Sequence, residues 1–286
     1  MTGPRLALCL AALLSPSLAL AQETEEKPLW ELGVGAFAVN APDYPASGNR
    51  STNGLPVPIV IYRGDILRVG EDDAVRVVPV EDDLFELSLS AGASFPASSE
   101  GNPIREGMPD LDFLFELGPE VIIHGPTLET ENFGTGKLEL ALQLRAVLSA
   151  DFEQGDFVPR GYVFEPELSY TQRGLFGPRS RLSASVGPIF ATEELQDYFY
   201  EVEPQFARPG RPAFDAEAGY LGTRAGLGLG YDVTDRFTLF GGVGVGVYEG
   251  AANQDSALFE EPVTTSVFLG FTYTFYKSTR TVTRPR

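Results

Sequence analysis

From Val267 to Phe275 every second residue is apolar: Val267, Leu269, Phe271, Tyr273 and Phe275, with Gly270, Thr272 and Thr274 between the last four. Successive side chains leave a strand on opposite faces. This segment therefore presents one wholly apolar, aromatic face and one small, polar face. An apolar exterior against a polar interior, closing on an aromatic residue, is the pattern of the last strand of an outer-membrane β-barrel. A soluble sandwich can carry one such strand, so the rest of the chain decides.

The same period recurs along the sequence. Leu138, Leu140, Leu142, Leu144, Ala146 and Leu148 alternate with Glu139, Ala141, Gln143, Arg145, Val147 and Ser149. On a helix this run would wrap apolar groups around the whole circumference, whereas a strand sorts them to one side and turns Glu139 and Arg145 to the lumen. Phe85–Phe95, Ala225–Tyr231 and Phe237–Val247 repeat the alternation. Glycine, normally depleted in strands, concentrates inside them at Gly33, Gly35, Gly226, Gly228, Gly230, Gly242, Gly244 and Gly246. Bare inward positions relieve crowding in a curved wall or open a lumen. The pattern predicts an all-β, antiparallel transmembrane barrel of about 12 strands (10–14) with both termini periplasmic. The strands fall over 30–39, 55–63, 66–70, 75–80, 84–95, 111–123, 137–150, 161–172, 179–192, 217–231, 236–249 and 264–275, with no helix. Short links then collect on one end and long ones, 40–54, 96–110, 193–216 and 250–263, on the other. The 124–136 link is anomalously long for the short-turn end.

Arg5, the apolar stretch Leu6–Leu14, Pro16 and the small-residue site Ala19-Leu20-Ala21 have the layout of a secretory signal peptide cleaved after Ala21. Cleavage removes Cys9, the single cysteine, so no disulfide staples the mature chain. Beyond it no apolar run of about 18 residues remains, and only a closed barrel could take such a chain across a bilayer. The expected organisation is signal peptide 1–21, acidic leader 22–29, barrel 30–275 and basic tail 276–286.

The whole chain carries 21 basic and 40 acidic residues, a net charge of −19, which argues against nucleic acid as a partner. The acidic clusters Glu71-Asp72-Asp73, Glu81-Asp82-Asp83 and Glu193-Glu194 lack the alternating ligand spacing of a calcium loop and are read as solvated loop charge. Lone His124 beside Gly125-Pro126 offers no nucleophile arrangement, and neither a zinc set nor an identifiable carboxylate pair is present. No cofactor and no enzymatic activity are expected. Trp30, Tyr62, Phe95, Phe152, Tyr170, Tyr231, Tyr248 and Tyr273 stand at strand ends, where rings favour the membrane interface. In Tyr62-Arg63-Gly64-Asp65 the glycine and aspartate make a tight turn, with Arg63 placed to pair with Asp65 or a partner.

Several segments in order resemble the MipA/OmpV outer-membrane family: Trp30-Glu-Leu-Gly33-Val-Gly-Ala-Phe, Pro42-Asp-Tyr-Pro45, and Leu55-Pro56-Val-Pro-Ile-Val-Ile-Tyr62-Arg63-Gly64-Asp65. Leu111-Asp-Phe-Leu-Phe-Glu-Leu-Gly118-Pro119, Asp197–Val202, Phe214–Gly219 and the strand ending at Phe275 continue it. The resemblance spans residues 30–275. It implies the cell outer membrane as location, with Trp30, Gly33, Pro56, Tyr62, Arg63, Gly64, Asp65, Gly118, Pro119 and Phe275 as structural or interaction positions. It also implies a non-enzymatic scaffold joining a murein lytic transglycosylase to a peptidoglycan synthase, in contact with outer-membrane lipid and lipopolysaccharide. A narrow porin-like channel, or an adhesin acting through loop 193–216, is the alternative. Family members typically stop at the terminal aromatic, whereas this chain continues with four basic residues in 276–286. That tail is expected as a frayed, solvated end or as a dock for anionic cell wall or a periplasmic partner.

Overall fold

The alternation along the chain is realised as a closed ring. The computed structural model describes residues 24–64, 67–69, 75–77, 84–130, 134–152 and 154–285. The leader 1–21, Asp65 and the clusters 71–73 and 81–83 lie outside the described residues. A short strand β1 (Thr24–Pro28) precedes β2 (Trp30–Pro42), β3 (Arg50–Arg63), β4 (Leu67–Val69), β5 (Val75–Val77), β6 (Phe85–Ser94) and β7 (Phe113–Thr130). Then come β8 (Gly134–Asp151), β9 (Asp156–Arg173), β10 (Ser180–Ala191), a helix α1 (Glu193–Tyr200), β11 (Gly219–Thr234), β12 (Phe237–Val247), β13 (Val263–Lys277) and β14 (Thr281–Pro285). Strands β2 to β13 pair antiparallel with their sequence neighbours, and β13 returns to β2 to close a twelve-stranded barrel. Closure of the ring gives every strand a hydrogen-bonded neighbour on both sides, as a hydrocarbon environment demands.

The faces sort as the period of two requires. Leu140, Leu144 and Leu148 of β8 are exposed on the outside while Ala141, Gln143, Arg145, Val147 and Ser149 are buried inside. Val267, Leu269, Phe271, Tyr273 and Phe275 are all exposed, Leu269 at 67%, and with Val34, Val60, Leu239 and Val243 they form an outer apolar belt. Around a water-soluble sandwich such a belt would be a severe liability. Around a barrel it is the lipid-facing surface.

Four local expectations are corrected. The 124–136 link is not a long loop: β7 runs to Thr130 and β8 begins at Gly134, so the hairpin simply outgrows the alternating pattern. A bulge between His124 and Thr127 admits Gly125-Pro126, whose proline has no N–H to give the ladder. The last barrel strand does not stop at Phe275. The ladder to β2 shifts between Thr274 and Tyr276 and continues to Lys277, leaving Phe275 at the bulge. In place of a frayed tail, β14 pairs antiparallel with β1 from Thr24↔Pro285 to Pro28↔Thr281, forming a two-stranded ribbon outside the barrel. Finally, loop 193–216 opens with α1, whose Leu195 and Phe199 are buried one turn apart and whose first turn carries Glu193 and Glu194. Acidic groups there complement the helix N-terminus, which accounts for that cluster without a cation.

The strand glycines have a more particular role than opening the lumen. Inward rings from neighbouring strands lie over them. A Cβ on Gly242 would meet the Phe268 ring at 2.7 Å, and one on Gly270 would meet Phe240. Phe240 and Phe268 themselves stand 6.4 Å apart. Two of the presumed girdle aromatics also turn inward: Phe95 and Tyr248 line the lumen, whereas Tyr62, Tyr231, Tyr273 and Phe152 are exposed outside.

Candidate functional site

Three constructions are built on this ring: a polar lumen, a filled loop end and an anchored ribbon at the turn end. In the lumen, Arg145 of β8 donates to Glu116 Oε2 of β7 at 2.8 Å and to Glu165 Oε2 of β9 at 2.6 Å. It also reaches Ser90 of β6 at 3.3 Å and contacts Gln143. Arg224, two strands further round, approaches the other oxygen of Glu165 at 3.5 Å. Charges removed from water in this way are tolerable only when paired and hydrogen-bonded, and here each of the three central groups is.

Gly118 makes room for that network. It faces inward between Glu116 and Glu120, and a Cβ there would come within 1.9 Å of the Leu144 carbonyl oxygen. Neighbouring Pro119 pairs with Leu89 of β6, while the β7–β8 ladder skips 118 and 119. The Gly-Pro pair thus lets β8 crowd against β7 where Arg145 sits. Further down, His124 Nδ1 lies 3.2 Å from Glu139, and Nε2 3.9 Å from Glu86, so its partners are carboxylates. Among the described residues no group of His, Cys, Asp or Glu is arranged to hold a metal ion.

The loop end is filled. Leu114, Val147, Val163, Ile189 and Leu221, inward residues of the wall, pack with Leu195, Phe199 and Tyr200 of α1 and with Tyr44, Leu111 and Leu258 from three other loops. Tyr200, fully buried, donates to the Pro45 carbonyl at 2.9 Å, and Ser256 donates back to the Tyr200 carbonyl at 2.7 Å. Tyr44 donates to Leu258 O at 2.8 Å, and Arg211 to Ile104 O at 2.6 Å. Burial pushes the Tyr200 hydroxyl well above its usual range and that of Tyr198 to about 12. Asp197, desolvated and facing Glu201 and Glu193, is raised to about 6.

At the turn end Asp65, one expected partner of Arg63, lies outside the described residues, and Arg63 has another partner. Arg63 binds buried Glu31 at 2.8 Å and donates to the Pro28 carbonyl at 2.8 Å, and Lys277 reaches Glu31 at 3.2 Å. Trp30, paired with Tyr62 across β2 and β3, stacks on Tyr276 at 4.8 Å. Leu29 N–H donates to Arg280 O at 2.7 Å and Ser278 N–H to Trp30 O at 2.9 Å, carrying the β2–β13 seam into the ribbon. Gly33 permits the same seam, since a Cβ would meet Tyr273 O at 2.5 Å. Pro56 lies exposed on β3 and Gly64 at the strand's end. Trp30, Tyr62, Arg63 and Phe275 therefore converge at one end, while Gly118 faces the lumen and Pro119 and Pro56 lie exposed on the outer face. Glu31, Tyr276 and Lys277 were missed by the sequence reading; their only signal was their place flanking the first and last barrel strands.

Residues 33–275 match the protein family described as MltA-interacting protein MipA. The chain belongs to the MipA family. The matched span holds the barrel almost whole and leaves the ribbon, 24–28 and 281–285, outside it. No curated protein matches the chain. Among solved structures, the NanC porin is similar with 10% identity over 86% of this chain and 98% of its own, at a TM-score of 0.35. OprB of Pseudomonas putida shows 10% identity over 89% and 94%, at 0.35. Neisserial surface protein A shows 13% over 88% and 99%, at 0.27. This MipA-family chain folds as a closed twelve-stranded antiparallel β-barrel with an apolar outer belt.

Proposed function

We propose that this MipA-family barrel is a non-enzymatic scaffold in the cell outer membrane, seated in lipid and lipopolysaccharide by its apolar belt. Its turn end faces the periplasm and holds peptidoglycan-remodelling enzymes, a murein lytic transglycosylase and a peptidoglycan synthase. The observation that carries this is the ribbon: two strands outside the barrel, fixed to it by Glu31, Arg63, Lys277 and the Trp30–Tyr276 stack. A short sheet projecting into water offers backbone donors and acceptors to an incoming strand, a common mode of peptide capture. The family's description as interacting with a transglycosylase supports the same direction.

The test is capture of tagged, purified transglycosylase from detergent extracts by the whole chain and by a chain lacking 278–286. Capture lost on deletion, with heat-modifiable migration kept, supports docking on the ribbon. No capture by either form overturns the scaffold reading. The second reading, a narrow channel, is favoured by a lumen cavity of about 830 Å³ but opposed by the packed loop end.

A further inference from the structure

Two prolines meet across the joint between β9 and β10. Pairing runs from Arg181↔Arg173 to Val186↔Leu168, then resumes at Phe190↔Phe164 in the same register. That register sets Pro188 opposite Pro166. Just beyond the two ends of the ladder, Gly174 N–H donates to Ser180 O at 2.9 Å and Thr192 N–H to Tyr162 O at 3.0 Å. Both bonds keep the register and fall on even-numbered residues. In an antiparallel pair such sites recur at every second residue, so Pro166 and Pro188 occupy one where two hydrogen bonds would be exchanged. Neither has an N–H to give. Their carbonyls are left with no donor across the joint. The β7–β8 ladder also skips positions, but Gly118 and Arg145, opposite each other there, keep their N–H groups. A small shift can restore bonds at that skip and none can at Pro166–Pro188.

The gap lies in the lipid-facing belt. Phe164 and Leu168 on one strand and Val186 and Phe190 on the other are exposed on the outside. From Leu168 to Phe164 the joint runs roughly 13 Å without a ladder bond. In hydrocarbon a bonded ladder resists parting because each broken bond strands two polar groups. Here that penalty is already present in the closed form, so parting adds little to it. The joint is nevertheless shut. Gly187 allows this close approach, since a Cβ on it would lie 2.6 Å from Pro166 O.

The side chains that hold it are on the lumen side, from the two carboxylates that flank Pro166 in the chain. The Ser185 hydroxyl of β10 hydrogen-bonds with Glu167 of β9. Arg224 of β11 lies 3.5 Å from Glu165 of β9, so this ion pair reaches across β10. Outside, the rings of Phe164 and Phe190 stand 6.4 Å apart and cover one end of the gap.

We propose that β9 and β10 form a lateral gate, a joint that parts toward the bilayer at Pro166 and Pro188 and is latched from the lumen by Glu167–Ser185 and Glu165–Arg224. Parting connects the lumen with the lipid phase through the barrel wall. The gate does not depend on the ribbon or on any docked enzyme.

The test is residue-resolved amide exchange of the full chain in liposomes, corrected for intrinsic rates. It reads Phe164, Leu168, Val186 and Phe190, whose N–H groups bond across the joint, against Ala225–Leu229 of the β11–β12 joint in the same belt. Exchange at least about tenfold faster at β9–β10 is expected. Ser185→Ala with Arg224→Ala should raise it by about tenfold more and leave β11–β12 unchanged, the single Ser185→Ala serving if the double variant fails to fold. Pro166→Val with Pro188→Val, which returns both donors, should slow it to the β11–β12 rate. A second measurement reads the direction of parting. Ile189→Cys, an inward position beside the gap, in a Cys9→Ala chain should be alkylated by N-dodecylmaleimide dissolved in the bilayer, and the two valines should abolish that labelling. Equal exchange at the two joints, exchange unchanged when the donors are returned, or labelling indifferent to the valines would each overturn the proposal.

Discussion

Glu165 lies 2.6 Å from Arg145 with its side chain 6% exposed, and the guanidinium it holds is equally buried. The pair sits on adjacent strands with Glu116 on the other flank, so one cation balances two carboxylates pressed against the wall. Removing the cation takes the Arg145 ion pair from Glu116 and leaves Glu165 with Arg224 at 3.5 Å, in a place that water reaches poorly. Arg145→Ala should therefore destabilise the barrel by about 3–5 kcal/mol. Urea unfolding in lipid vesicles, followed by tyrosine fluorescence and heat-modifiable migration, measures this. The triple change Arg145→Met, Glu116→Gln, Glu165→Gln should recover most of the loss.

Gly118 and Gly226 both face inward but differ in what stands opposite. At Gly118 a Cβ collides with the Leu144 backbone, whereas at Gly226 its nearest neighbour is the Ser185 hydroxyl at 3.4 Å. Gly118→Ala should cost about 3 kcal/mol, because strand backbone has to move. Gly226→Ala should be neutral or stabilising by about 0.5 kcal/mol through the unfolded chain. Refolding yields of the two variants into vesicles give the comparison directly.

The packed loop end should limit conductance through the lumen. Wild-type protein in planar bilayers should show small, infrequent steps. Tyr200→Ala deletes a fully buried ring and its bond to Pro45, a loss of about 3–5 kcal/mol of local packing. Larger and longer openings are the expected result. Equal traces for both proteins would show that the loop end is not what limits ion flow.

The loop end also responds to pH. Burial and the neighbouring Glu201 and Glu193 raise Asp197 to about 6 from its ordinary 3.8. Folded protein thus binds this proton more tightly than unfolded chain does. The resulting stabilisation is full below about pH 4 and is lost as pH rises through about 6. Glu201, raised for similar reasons, adds the same sign. Glu194, lowered by its hydrogen bond with Thr192, acts in the opposite sense and only at more acid pH. Amide exchange in 193–201, corrected for intrinsic rates, should be slower at pH 5 than at pH 8, and Asp197→Asn should flatten the difference.

What was legible in the sequence was what a period of two can write. Runs such as Leu138–Leu148 sort themselves against lipid without help from the rest of the chain, and the twelve barrel strands follow from them. The β7–β8 extension past His124 was hidden because Gly125-Pro126 breaks the alternation while a bulge preserves the pairing. Helix α1 is eight residues long with no side-chain cap hydrogen bond at Thr192, too short for periodicity to stand out. The polar network was half visible: Arg145 and Glu139 were placed inside, but Glu116 and Glu165 meet Arg145, and Arg224 meets Glu165, from strands whose register only the closed ring fixes. Arg63 was singled out as an ion-pairing group, but Glu31 could not be named as its partner, since the two are adjacent only through the β2–β3 pairing.

The ribbon has a consequence for how such a ring is completed. Among the described strands of the ring, β2 and β13 form the one joint made by strands far apart in the chain, and no short link ties them. Pairing of Thr24–Pro28 with Thr281–Pro285 prolongs that joint into water, where a misaligned hydrogen bond can still be exchanged for a correct one. The two chain ends thus work like the aligned tabs of a zip fastener. They hold, from outside the ring, the offset of the joint at which a slip by one residue would turn every side chain to the wrong face.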